Sequence, residues 1–180
     1  MNVLASEIKL IISGGIAQKP VLLRFTERLN ERGLTRDENP VTHFCAYFLP
    51  YNKEVKKIFI IHHKKSGLWL SPGGHIDKGE NLMATLNREI HEELGITNKI
   101  MEPIQPFLLT ITPISNEVQP CKEHLDIWYR VPMTENEMNV SPEEFYESRW
   151  VALSEARKLI TDPATIEALE RMEEVLFPAS

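Results

Sequence analysis

The segment LMATLNREIHEEL, residues 82 to 94, constrains this chain most, because it reads as one helix with both ends marked. Asn81 is a good N-cap, whose side chain can accept from the first free N–H groups, and Gly95 suits the left-handed residue that ends a helix. At about 100° per residue, Leu82, Met83, Leu86, Ile90 and Leu94 share one flank, which must be buried against another layer. Glu89, Glu92 and Glu93 occupy the adjacent flank at i, i+3 and i+4, so three carboxylates converge beside the buried stripe.

That placement is costly. Like charges one turn apart disfavour a helix by about 0.2–0.5 kcal/mol per pair. Glu92 and Glu93 also sit at the negative end of the helix dipole, which costs about 0.3–1 kcal/mol each when exposed. A divalent cation between the acids offsets both terms. Hard oxygen donors, with no thiols or clustered histidines in the segment, point to Mg²⁺ or Mn²⁺. The competing reading is a solvated acidic face partnered by Arg88 and Lys99.

Around this helix the texture is mixed. Residues 1 to about 33 read as helical, with Leu4, Ile8, Ile11 and Ile12 on one spacing and Val21, Leu22, Phe25 and Leu29 on another after Gly14-Gly15. From Val41 the chain turns β-rich: VTHFCAYFL and VKKIFIIHH, joined by a turn at PYNKE, then FLLTITPI, HLDIWYRV and ESRWVAL. A polar loop surrounds TENEMNVSPEE. Ser154 is expected to cap a helix running towards Ile160, and Pro163 to open a closing helix from Ala164 to Val175. The organisation expected is an N-terminal helical extension over residues 1–40 and an α/β sandwich domain over 41–180 with C-terminal helices.

Composition narrows the function classes. A chain of 180 residues, 42% hydrophobic, can bury one substantial core. The net charge of −6 repels polyanions unless cations compensate, so nucleic acid is not an expected partner. Cys45 and Cys121 lie in apolar runs without C-x-x-C spacing, arguing against a zinc site and a disulfide framework and for a reducing, cytoplasmic setting. The N-terminus lacks a basic start and any apolar run of membrane-spanning length, so neither export signal nor membrane anchor is expected.

The loop SPGGHIDKGE leads into the helix as a tight turn whose backbone can approach a ligand closely. Together they read Gly74, five residues, Glu80, seven residues, then Arg88-Glu89-Ile90-His91-Glu92-Glu93-Leu94-Gly95-Ile96. At every fixed position this resembles the Nudix box, the signature of the Nudix hydrolase family. The strand pattern from Val41 to Leu153 is similar to that family's core as well. The resemblance implies an α/β/α sandwich with a mixed sheet. It also implies a loop-helix-loop in which Glu89, Glu92 and Glu93, with the Gly73 carbonyl, bind divalent metal while Glu80 and Arg88 brace the loop. The reaction implied is hydrolysis of a nucleoside diphosphate linked to another group. Metal would neutralise phosphate charge and acidify the attacking water, and a carboxylate would act as general base. Glu92 or Glu93 is the first choice for that base, with Glu143, Glu144 and Glu147 on a later loop as alternatives.

Further substrate contacts are expected from Trp69, which can stack on a base or pack in the core, and from His75 beside the glycine turn. His124 and Asp126 join them from the polar face of a strand in period-2 alternation, and Glu147 from the later loop. Lys64 and Lys65 can meet phosphate or serve as solvated turn residues. Substrates implied are nucleoside triphosphates, nucleotide sugars such as ADP-ribose, or dinucleoside polyphosphates. Two other classes stay open. One is a nucleotide-sensing module with this fold but no turnover. The other is an isomerase of the isopentenyl diphosphate type, kept open by Cys45 and Cys121. The apolar surface of the N-terminal helices can also serve a homodimer.

Overall fold

In a computed structural model, which describes residues 2–115, 120–135 and 138–177, the expected mixed α/β sandwich forms. Helices α1 (Val3–Ser13) and α2 (Lys19–Asn30) come first, followed by strands β1 (Thr42–Asn52), β2 (Lys57–His63), β3 (Trp69–Leu70) and β4 (Gly73–His75). Helix α3 (Leu82–Leu94), strands β5 (Leu108–Pro113), β6 (Glu123–Pro132) and β7 (Phe145–Val151), and helices α4 (Leu153–Leu159) and α5 (Pro163–Leu176) complete the chain. No helix among the described residues is long and apolar enough to cross a membrane.

The seven strands form one mixed sheet in the order β3-β2-β1-β6-β5, with β4 added on β1 and β7 on β2. Strand β1 lies at its centre and runs parallel to β6 from Thr42↔Glu123 to Tyr51↔Pro132. Its other edge is shared. Only Tyr51 and Asn52 pair with β2, and Cys45, Ala46 and Tyr47 pair with β4 instead. Strand β2 in turn gives Ile61 and His62 to β3. The chain thus re-enters the sheet between β1 and β2, which fixes where the glycine-rich segment must lie.

Alternation along the strands sorts the core into two faces. Phe44, Ala46 and Phe48 of β1, with Leu125, Ile127 and Tyr129 of β6, pack under Leu82, Leu86, Ile90 and Leu94 of α3. Leu4, Ile8 and Phe25 of the N-terminal helices join that same cluster, so the helical hairpin completes a face of the sandwich. On the other face Leu49, Ile58, Ile60 and Val151 pack against Ala156, Leu169 and Met172 of α4 and α5.

Helix ends follow local chemistry. Asn81 accepts from the Ala84 amide at 2.8 Å, and Gly95 takes φ 66 as the left-handed terminator. Asp162 caps α5, where Pro163 opens the first turn. Two expectations need correction. Ser154 does not cap α4: the N-cap is Ala152, without a side-chain bond, because β7 runs to Val151 and leaves Ser154 inside the first turn. Pro50, Tyr51 and Asn52 continue β1 rather than forming a turn, since the parallel ladder to β6 extends through Pro50 and Tyr51 and Asn52 pairs with Lys57 of β2. The reversal falls at 53–56, where the Asn52 side chain accepts from the Glu54 and Val55 amides and Lys56 takes φ 54.

Candidate active site

Strand β4 fixes the site's geometry. The Gly73-Gly74-His75 segment, expected as a turn, is extended and laid against β1. Only glycine fits at its first position: φ is 136°, and a Cβ there would stand 2.5 Å from the Ala46 carbonyl oxygen. A Cβ on Gly74 would stand 2.4 Å from Glu89 Oε1. The missing side chains therefore make the space that the α3 carboxylates occupy.

Of the three converging glutamates, two are buried, Glu89 at 7% exposure and Glu93 at 3%, whereas Glu92 is exposed. Glu93 accepts from the Gly73 N–H at 2.8 Å. Glu89 accepts from Arg88 Nη1 at 2.8 Å, and Glu92 from the same nitrogen at 3.0 Å. Arg88 also donates to Glu80 through Nε at 2.8 Å and Nη2 at 3.1 Å, and to the His75 carbonyl at 2.8 Å. Glu80 reaches back to the Asp77 amide and the Thr85 hydroxyl. One guanidinium thus ties the β4–α3 loop to the helix while facing several acids.

That single cation is not enough. Burial pushes the Glu89 carboxyl up to about 7, and the Arg88 pair only partly opposes it. Burial also raises Glu93 well above the ordinary carboxylate range, with Glu89 adding repulsion and the Gly73 N–H opposing. Glu80 lies below the usual range: burial works against ionisation, but Arg88, Thr85 and the Asp77 amide outweigh it. An all-oxygen set of buried, under-compensated carboxylates in a glycine-made cradle fits a hard divalent cation.

The later loop is hung from the end of α3. The Asn139 amide donates to the Leu94 carbonyl at 2.8 Å and the Ser141 amide to the Glu93 carbonyl at 3.0 Å. Of its acids, Glu144 lies within electrostatic reach of both Glu89 and Glu93. Glu147 is elsewhere, exposed on β7 and paired to Arg149. Residues 136 and 137 of this loop lie outside the described residues.

The other expected contact residues separate. Trp69 stacks on His62 with ring centroids 5.1 Å apart, and the Arg149 guanidinium stands 5.1 Å from its ring centroid. It also packs at the edge of the core against α4 and α5. Lys64 donates through Nζ to the Pro142 carbonyl. The expected wet face of β6 is buried: Asp126 is 1% exposed, His124 9% and Trp128 1%. Asp126 accepts from Thr110 and Thr112, and burial raises its carboxyl to about 7 despite them. Trp128 stacks on Tyr47 and packs against Ala164 and Ala168 of α5, which covers this face.

His75 and His124 instead meet each other, Nε2 to Nε2 at 3.3 Å. They join His43 and Cys45, with potential ligand atoms of all four within 4.8 Å of one another. Sequence reasoning missed His43 and Cys45 as partners of this pair, although the alternation of THFC on a central strand puts both on one face. Both cysteines are free and buried.

The NUDIX domain family model matches residues 41–172, and the chain, with its capped carboxylate helix above a glycine strand, belongs to that family, in which relatives of this chain are named as hydrolases. Among its relatives is a protein named probable DHNTP pyrophosphohydrolase of Lactococcus lactis, 27% identical over 145 residues, covering 79% of this chain and 86% of that one. The mouse asymmetrical bis(5'-nucleosyl)-tetraphosphatase is 28% identical over 100 residues, 55% of this chain and 62% of its own. In fold the chain is similar to the E. coli dihydroneopterin triphosphate pyrophosphohydrolase, with TM-score 0.62 and 15% identity over 76% of this chain and 96% of that one.

Proposed function

We propose that this chain hydrolyses the pyrophosphate linkage of a nucleoside diphosphate derivative, with Glu89, Glu92, Glu93 and the Gly73 carbonyl holding Mg²⁺ or Mn²⁺. The observation that carries this reading is the pair of buried carboxylates, Glu89 and Glu93, under-compensated beside two glycines that leave them room. A divalent cation there supplies charge neutralisation for the diphosphate and acidifies water. The remaining work belongs to the chain. Arg88 holds Glu80 and the His75 carbonyl together and so keeps β4 and α3 in register. Glu144 is the best placed acid of the later loop to take the proton of the attacking water, because its charge reaches both buried glutamates and its loop is fixed to α3. Glu92, exposed and held among the described residues by Arg88, is free to turn towards a ligand. A carboxylate-lined site on an acidic protein attracts a polyphosphate only through cations, which makes turnover strictly metal-dependent.

The substrate class follows from chemistry: a small, mobile diphosphate ester rather than a nucleic acid, in the same cytoplasmic setting expected above. The relatives add candidates. Dihydroneopterin triphosphate and dinucleoside tetraphosphates belong in the assay beside nucleoside triphosphates and ADP-ribose. Each is to be incubated with Mg²⁺ and with Mn²⁺, with products resolved by phosphorus NMR. Cleavage at a P–O–P linkage, abolished by chelation and in Glu93→Gln, is the expected result. Intact substrates across the panel with both metals would overturn the proposal.

A further inference from the structure

We propose that His43, Cys45, His75 and His124 form a second metal site, of N₃S composition, that takes a soft, tetrahedral ion of the Zn²⁺ class. The four residues are cross-strand neighbours on three adjacent strands. Parallel pairing sets His43 opposite His124, and antiparallel pairing sets Cys45 opposite His75. Strand alternation turns all four side chains to the same face, away from Phe44 and Ala46.

The three imidazoles form a nearly equilateral triangle, with centroid separations of 4.8, 4.9 and 5.0 Å. His75 and His124 meet through their Nε2 atoms, but the third ring is left unsatisfied. His43, 0% exposed, has Nδ1 at 3.1 Å from the Asn39 carbonyl, which can only accept, so Nδ1 carries the proton and Nε2 a lone pair. That Nε2 is buried without a hydrogen-bond partner. Such an orphan is costly to leave unpaired unless something fills it. A carbonyl fixing one ring nitrogen so that the other faces inward is how histidine ligands are oriented. The His75 and His124 Nε2 atoms stand 3.3 Å apart, which matches the ligand-to-ligand distance of about 3.3–3.6 Å in a tetrahedron with zinc bonds of about 2.0–2.3 Å. Closing the full set from 4.8 Å needs side-chain adjustments of about an ångström. Arg36 Nη1, at the rim 3.4 Å from His75 Nδ1, is on an exposed side chain and can swing away when that nitrogen becomes protonated.

The donor set separates this site from the carboxylate one. Imidazole and thiolate select Zn²⁺ and its relatives, whereas carboxylates select Mg²⁺ and Mn²⁺. Ligation replaces the Cys45 S–H bond with an S–metal bond and releases that proton to solvent. Since β4 carries His75 here and Gly73 and Gly74 beneath the glutamates, an ion in the N₃S site pins the strand on which the catalytic cradle is built.

Cobalt(II) is the probe. The full chain, stripped with chelator and titrated with CoCl₂, is expected to show a near-ultraviolet thiolate-to-cobalt charge-transfer band and intense tetrahedral visible bands. Excess Zn²⁺ should displace them and Mg²⁺ should not. Cys45→Ser should abolish the charge-transfer band, and His43→Gln should weaken cobalt affinity by about tenfold or more. Glu89→Gln, which alters only the carboxylate site, should retain the band. A wild-type spectrum without the thiolate band overturns the proposal whether or not the variants fold. So does a band that survives in Cys45→Ser. The spectrum is independent of turnover, so it stands or falls separately from the hydrolase reading.

Discussion

Glu89 makes the proposed metal site measurable without any substrate. Its carboxyl is raised from 4.5 to about 7 in the folded chain, chiefly by burial. For an acid with a raised folded pKa, the folded state holds its proton longer than the unfolded state does. The associated stability is therefore fully present below pH 4.5 and is lost as pH rises to about 7. At about 1.4 kcal/mol per pH unit the loss is about 3 kcal/mol. For a chain of this size that is about 6–12 °C in Tm. Glu89→Gln keeps the shape and the acceptor for Arg88 but removes the ionisation. Thermal unfolding followed by circular dichroism, with chelator present, should give similar Tm values for both proteins near pH 4.5. Near pH 8 the variant should be the more stable by up to that amount. Adding Mg²⁺ at about 100 times its Kd should return about 3 kcal/mol to the wild type and far less to the variant. Parallel pH profiles for the two proteins, with no divergence and no differential response to Mg²⁺, would refute the claim that Glu89 is a buried, cation-seeking carboxylate.

Other substitutions probe the same frame. Arg88→Ala removes the partner of Glu80, whose side chain is 19% exposed, and should cost stability towards the lower end of about 3–5 kcal/mol, read as a fall in denaturation midpoint with loss of turnover. Gly73→Ala should destabilise severely, since its Cβ meets the rigid Ala46 backbone. Gly74→Ala meets only the end of the Glu89 side chain, so it should melt near wild type yet need far more Mg²⁺ for half-maximal rate. Glu144→Gln should lower kcat by about 10²–10⁴-fold, whereas Glu147→Gln, on an exposed residue paired to Arg149, should leave it nearly unchanged. Equal effects of the last two would remove Glu144 as the base.

What was legible in the chain was whatever is encoded over consecutive residues. Asn81 and Gly95 mark α3 because caps act within one turn, and its apolar stripe is read directly from spacing. The five longer strands were visible for the same reason. Strand β4 was not, because Gly73-Gly74 has no side-chain pattern to alternate and its extended state is imposed by β1. The face of β6 bearing His124, Asp126 and Trp128 was separated correctly by alternation, but alternation cannot say what covers a face. Polar residues suggested water, and the fold supplied α5 and the side chains of His43, Cys45 and His75 instead.

The histidine–cysteine cluster shows the limit most clearly. The chain has no thiol or imidazole spacing of a metal motif, since ligands two residues apart on one strand are completed only by cross-strand partners, His75 and His124. Those pairings depend on β1 having β4 on one edge and β6 on the other. Register alone decides it: a slip of one residue in either ladder would turn His75 or His124 to the opposite face and take one of the two imidazoles away from His43. The carboxylate cradle depends on the same register, because Gly74 opposite Ala46 opens the space for Glu89 on the face away from His75. One three-residue strand therefore separates two donor sets of opposite character, oxygen towards α3 and nitrogen with sulfur towards the other layer. Hard and soft ions should consequently bind this chain together rather than compete.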